Sequence, residues 1–309
     1  YLKVIHYQDD NRFVHLRLGF LYYDLKNIAK ATEHFQKAYD QGANNHQIIY
    51  YLGLLYGMQE DYKKAVELFE EIPIDNSPIA TELIPSLASA YYQLGKEGKV
   101  KALLKKAVEL YPNEEKIWEV RGSFYANQKD YEKGLEVIEE GLQYFPHNSN
   151  LQLHESILLD KLGRTDEALE KIQNLLKREP NNASALNFWG YTYLERGEQI
   201  NQATEALEKA YQLDPESAYI IDSLGWAYFK QGKTQEALKL MLKANQDAPE
   251  EPIIQEHLAE IYLALGQLEN AKEYFKKAYT NIKKIKKPSY RDKVDQARIK
   301  QRYLETKKL

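Results

Sequence analysis

Residues 225–262 read GWAYFKQGKTQEALKLMLKANQDAPEEPIIQEHLAEIY. Gly225 is followed after three residues by Tyr228, after twelve by Ala237, after sixteen by Met241 and after nineteen by Ala244. Pro249 closes the series, which restarts at Ala259 with Tyr262 three residues beyond. Working outward, the same series starts from Gly19, Gly53, Ala88, Gly122, Ser156 and Gly190, always at intervals of 34 or 35 residues. A fixed interval of this size means equal supersecondary units in a stack rather than a domain with one central core.

The chemistry of the positions says what each unit is. An aromatic lies three residues after most of these small residues (Tyr22, Tyr56, Tyr91, Tyr125, Tyr193), and a large apolar side chain lies sixteen after (Phe35, Phe69, Leu104, Ile138, Ile172, Phe275). Two helices whose axes approach within about 8–10 Å need a small side chain at the crossing. Large residues on the same face then fill the space beside it. Pro112, Pro146, Pro180, Pro215 and Pro249 cannot continue a helix and mark the turns between units. Asn113, Asn181, Asn182, Glu216 and Ser217 follow as helix starts.

This pattern resembles the tetratricopeptide repeat (TPR) over residues 12 to about 285. The resemblance implies an all-α, right-handed superhelical solenoid in which each unit is an A helix and an antiparallel B helix, with A helices lining a concave groove. Eight units fall at about 12–45, 46–80, 81–114, 115–148, 149–182, 183–217, 218–251 and 252–285. Residues 1–11 read as the end of a preceding repeat, with Tyr1, Val4 and Ile5 in its B helix, so the chain reads as a fragment cut from mid-repeat. Residues 286–309 read as a basic capping helix, with Val294, Ala297, Ile299, Tyr303 and Leu304 on its inner side. From Lys283 to Leu309 eleven Lys or Arg face three Asp or Glu, which also suits an acidic partner or membrane headgroups.

Composition excludes some classes. The net charge of -4 and the pI near 6.1 argue against nucleic-acid binding. No apolar run is long enough to span a bilayer. There is no cysteine, hence no disulfide, thiol nucleophile or thiolate metal site. The seven histidines show no zinc spacing, and no phosphate loop, dinucleotide fingerprint or nucleophile elbow occurs. We expect no catalytic residue, no metal and no cofactor.

Three units depart from the pattern. Around the third, residues 72–78 replace the end of a B helix, and Pro85 is expected in the first turn of the following helix. In the fifth, Glu155 stands where Leu is usual and Leu159 where Tyr is, which predicts either a soft A helix or a compensating polar contact. The sixth has an extra residue in Arg196-Gly197-Glu198-Gln199-Ile200. With Asn187, Gly190 and Tyr191 before it and Asp222-Ser223-Leu224-Gly225-Trp226 after it, residues 185–245 resemble bacterial cell-envelope TPR lipoproteins that act as adaptors for a carboxyl-terminal processing protease.

The family geometry places five positions of each A helix on the groove. On that basis the candidate partner-binding residues are Phe13, Phe20, Tyr23, Tyr50 and Tyr92, then Asn187, Tyr191, Tyr219, Asp222, Trp226 and Phe229. Aromatic side chains dominate binding hot spots because they are rigid and amphipathic; core packing is the competing reading for Tyr191 and Trp226. The Lys/Asn pairs that clamp a terminal carboxylate in some family members are absent. The function expected is a non-catalytic scaffold or adaptor for a protein or peptide partner, in the version implied by the resemblance a protease or its substrates, in a bacterial periplasm or outer membrane. Without that resemblance the cytoplasm stays open, as do a regulatory segment of a larger enzyme and a homo-oligomeric structural protein. Membrane contact is expected only through an unseen upstream anchor or weakly through the basic tail.

Overall fold

The computed structural model describes residues 12–285 and 288–308, so the expectation for residues 1–11 lies outside the described residues. Seventeen helices account for nearly all of them, with no strand among the described residues. Eight antiparallel pairs run in order: α1 (Arg12–Asp24) with α2 (Ile28–Asp40), α3 (His46–Met58) with α4 (Tyr62–Glu70), α5 (Ala80–Gln93) with α6 (Glu97–Leu110), and α7 (Glu115–Asn127) with α8 (Tyr131–Tyr144). They continue as α9 (Ser149–Lys161) with α10 (Thr165–Arg178), α11 (Ala183–Arg196) with α12 (Ile200–Leu213), α13 (Ala218–Lys230) with α14 (Thr234–Asp247), and α15 (Pro252–Ala264) with α16 (Leu268–Ile282). A last helix, α17 (Tyr290–Thr306), follows. Two compact units result, one ending at Arg121 and one beginning at Gly122.

The small residues do what their spacing implied. A methyl group placed on Gly53 would lie 2.4 Å from the Phe69 ring, and one on Gly122 would lie 2.4 Å from Ile138 Cδ1. A methyl group on Gly190 would lie 2.7 Å from Leu207, one residue late because of the extra residue in its turn. At these glycines the large side chain sixteen or seventeen positions on sits against the small residue of its own repeat and is buried, which fixes how closely A and B helices cross.

The departures resolve locally. The extra residue of the sixth unit is absorbed by two left-handed backbone positions, Gly197 at φ 69° and Gln199 at φ 48°. Pro85 is not in a first turn: α5 starts at Ala80, five residues earlier. Proline at that point takes the amide donor from the Thr81 carbonyl one turn earlier; beside it, the Glu82 carbonyl accepts from the Tyr50 and Ser86 hydroxyls. In the fifth unit Glu155 is buried and pairs with Lys171 at 2.6 Å, so the compensating contact exists. Asn182 caps α11 through the Ala185 amide at 3.0 Å. Ser217 occupies the cap position of α13 without a side-chain bond, and α7 starts two residues past Asn113.

The tail helix needs a correction. Of its expected inner side chains, Val294, Ala297 and Leu304 are exposed. Ile299 is buried with Ala278 and Ile282, and Tyr303 stacks on Tyr279 at 4.9 Å. The rest of the inner face is polar: Asp292, Asp295 and Thr306 are buried. The reason is where the helix lies. Instead of covering only the last pair, α17 reaches back to α9, with Tyr290 on the turn at Gly163, so its inner face meets the charged inner faces of A helices.

Candidate partner-binding groove

The second of the two compact units, which begins at Gly122, contains a cavity of about 630 Å³ on the A-helix side. Its wall is mainly apolar. Leu153 and Ile157 come from α9, Phe188 from α11, Ile220 from α13, and Ile253 and Ile254 from α15. These positions recur on A helices because the 34-residue interval repeats the same helical face, and helical side chains three or four apart share one face. Asn187, Tyr191, Tyr219 and Asp222, four of the sequence-derived candidates, line this one cavity. Ile157 and Tyr219 hold substantial exposed surface, at 38% and 62%.

Two more candidates, Trp226 and Phe229, line a neighbouring cleft of about 370 Å³ with Glu195, Glu256, Glu260 and Arg298. Trp226, however, is only 7% exposed and Asp222 only 5%. The Trp226 ring stacks on His257 at 4.0 Å and on Phe229 at 5.2 Å, and its Nε1 donates to Glu195 Oε1 at 3.0 Å. Asp222 Oδ1 meets His257 Nδ1 at 2.8 Å. Both are therefore packing residues between α13 and α15, not exposed contacts, which corrects the groove reading for Trp226. Burial pushes the His257 imidazole down, but the Asp222 carboxylate overrides it and holds the ring above its ordinary value.

The first unit holds the other five candidates. Phe13 and Phe20 flank a shallow cleft on α1 with Leu16 and Arg17, and Phe20 also packs edge-on against Tyr51. Tyr23 packs on Tyr51, Tyr50 bonds to α5, and Tyr92 is exposed.

Carboxylates are the component that the aromatic reading missed. Glu195, Glu256 and Glu260 form an acidic row on α11 and α15, and α17 answers it with arginines. Arg298 forks onto Glu256 at 2.8 and 2.7 Å and reaches Glu195 at 3.3 Å. Arg291 reaches Glu195 at 3.2 Å, and Arg302 forks onto Glu260. At the other end Lys161 of α9 pairs with Asp292 at 3.4 Å. Burial alone would raise Glu195; His257 and the arginines outweigh it and hold this carboxyl below its ordinary value. The signal for this contact was in the sequence: Arg291, Arg298 and Arg302, seven and then four apart, share one helical face.

Beside this strip the cavity also holds Asp160, Glu251 and Asp295. Burial, reinforced by Asp222, raises the Glu251 carboxyl; burial also raises Asp295, against the pull of Arg298 and Arg291. Among the described residues no group of three or more His, Asp or Glu is placed to hold a metal ion, and no helix is long and apolar enough to cross a membrane.

Comparison with known proteins agrees with this architecture. One family model described as "Tetratricopeptide repeat" matches residues 15–78, 155–218 and 223–284, and a second of the same description matches 86–114. The TPR repeat-containing protein PA4667 of Pseudomonas aeruginosa is 28% identical over 210 residues, 68% of this chain and 35% of that protein. Anaphase-promoting complex subunit 3 of Schizosaccharomyces pombe is 22% identical over 262 residues, 84% of this chain and 38% of that one. The chain thus spans little more than a third of the length of these two relatives. Among solved structures, a tetratricopeptide repeat protein of Parabacteroides merdae superposes with a TM-score of 0.63 at 17% identity, over 82% of this chain and 98% of that one. The anaphase-promoting assembly Cut9–Hcn1 gives 0.55 at 13%, over 85% and 65%.

Proposed function

This chain belongs to the tetratricopeptide repeat family, and from that premise we propose that it is a non-catalytic scaffold whose second unit takes a segment of a protein partner into its A-helix cavity. The observation that carries the reading is the 630 Å³ cavity itself, apolar on its wall and lined by exposed Ile157 and Tyr219. Cavities of this size, with few polar groups set in an apolar lining, are where ligands and side chains dock. The finer proposal is a bacterial envelope adaptor that captures a carboxyl-terminal processing protease or its substrates; residues 185–245 support it through their resemblance to such adaptors.

The test uses the full chain and the variant Ile157→Glu with Tyr219→Ala. Both side chains are partly exposed, so the helical content should hold. Binding of a purified carboxyl-terminal processing protease is measured by interferometry, beside affinity capture from source-cell lysate. Loss of a wild-type partner in the folded variant supports the cavity. An unchanged set of partners removes the cavity-centred reading, and no response to the protease removes the adaptor version.

A further inference from the structure

The cavity of the second unit is short of donors and positive charge. Four carboxylates line it, Asp160, Asp222, Glu251 and Asp295, against two cations, Lys161 and Arg291. Those cations are already engaged: Lys161 with Asp292 at 3.4 Å, and Arg291 with Glu195 at 3.2 Å and Asp295 at 3.8 Å. Among the described residues Glu251 forms no ion pair. The Asn187 Oδ1 and Asp295 Oδ1 atoms are buried at the cavity and accept no hydrogen bond, although Arg298 stands 3.2 Å from Asp295. Asp295 is itself only 6% exposed. A buried acceptor without a donor keeps its desolvation cost uncompensated, the more so when charged. A ligand that brings N–H groups and positive charge recovers that cost.

The same face already shows which cation it takes. Alongside the cavity the acidic row is neutralised by guanidinium groups, forked on Glu256 and Glu260. A guanidinium offers five N–H donors in a planar fork on an apolar stem. The cavity continues that face above an apolar wall with Glu251, a carboxylate that no cation pairs among the described residues, beside Asp222, which His257 holds at 2.8 Å.

We infer that the cavity is an arginine-receiving site, in which a partner segment seats a guanidinium against Glu251 with apolar flanking residues on Ile157 and Ile253. This rests on the scaffold reading above and names the chemistry of its partner.

The probes are acetylated tripeptide amides, Leu-Arg-Leu, Leu-citrulline-Leu and Leu-Glu-Leu, titrated into the isotope-labelled full chain and followed by NMR shifts. Citrulline keeps the shape of arginine and removes its charge. The arginine peptide is expected to shift Ile157, Tyr219 and Ile253, to bind at least tenfold more tightly than the citrulline peptide, and to weaken as salt is raised. The Glu251→Gln variant should lose about tenfold for the arginine peptide alone. Equal binding of arginine and citrulline, or preference for the glutamate peptide, overturns the proposal; this comparison needs no variant, so misfolding of Glu251→Gln cannot obscure it. If the Ile157/Tyr219 variant loses its partner while the peptides show no charge preference, the scaffold reading stands and the arginine site falls. If arginine binds selectively and partner capture is unchanged in that variant, the scaffold reading falls instead.

Discussion

At the scale of single residues, the aromatics divide by what surrounds them rather than by their place in the repeat. Trp226 and Phe229 both occur where the family pattern points to the groove, yet Trp226 is enclosed by His257, Phe229 and Lys230, whose Nζ lies 4.5 Å over the indole. Trp226→Ala is therefore expected to lower the unfolding free energy of the full chain by about 3 kcal/mol, as for other large core deletions. The cost includes the Glu195 oxygen left without its indole donor. Urea denaturation measures it, and a change below about 1 kcal/mol would show that the indole is not structural. The family geometry put Asn187, Tyr191 and Tyr219 on the groove side of their A helices, and all three line the cavity because the repeat fixes those positions. Spacing was silent on Glu251 and Asp295, because their role depends on which helix lies opposite, and nothing in the local sequence of either states that.

At the scale of elements, α17 tests the electrostatic account. Glu256 is 4% exposed at its side chain and Arg298 about a third, at 34%. Removing the guanidinium strands a buried carboxylate, which in full burial costs about 3–5 kcal/mol; with solvent at the arginine, a loss of about 2 kcal/mol is the sensible figure. Arg298→Met should show it in the opening free energy of α17 amides by hydrogen exchange, while Lys300→Met, on the exposed side, stays within about 0.5 kcal/mol. Adding Glu256→Leu to Arg298→Met should restore much of the loss. Failure of that rescue would mean that packing, not the stranded charge, sets the cost. The A and B helices were legible in the sequence because each carries its own period and contacts its own small residue, as Gly53 does Phe69. The position of α17 was not. Its bonds to Glu195 cross 96 and 103 residues, and an apolar inner face was assumed where the neighbours turn out to be carboxylates.

At the scale of the whole molecule, two buried histidine sites, one in each compact unit, are expected to contribute to stability with opposite dependence on pH. In the first unit His15 Nδ1 and His34 Nδ1 are 2.9 Å apart, so one ring must donate and the other accept. Burial first, then the neighbouring cation for His15 and the partner ring for His34, holds both below the ordinary value. A group whose folded value is depressed takes up its proton more readily when unfolded. Below about pH 6.5 this pair therefore withdraws stability as pH falls. His257 has the reverse sign: its folded value is raised, so its contribution is complete below the ordinary value and is lost as pH climbs through the raised one. Ring titration by NMR should place His34 below about 6.5 and His257 above it. The opposite order would overturn the account.

A stack of like units can ordinarily gain or lose one of them, because each touches only its neighbours. The second unit has given up that freedom. Helix α17, of seventeen residues, is about 25 Å long, and it is tied at one end to Lys161 and at the other to Glu260. One repeat more between those ties would carry Glu260 beyond its reach, and one fewer would leave its arginines without their carboxylates. The helix acts as a ruler, and the number of repeats beneath it is counted.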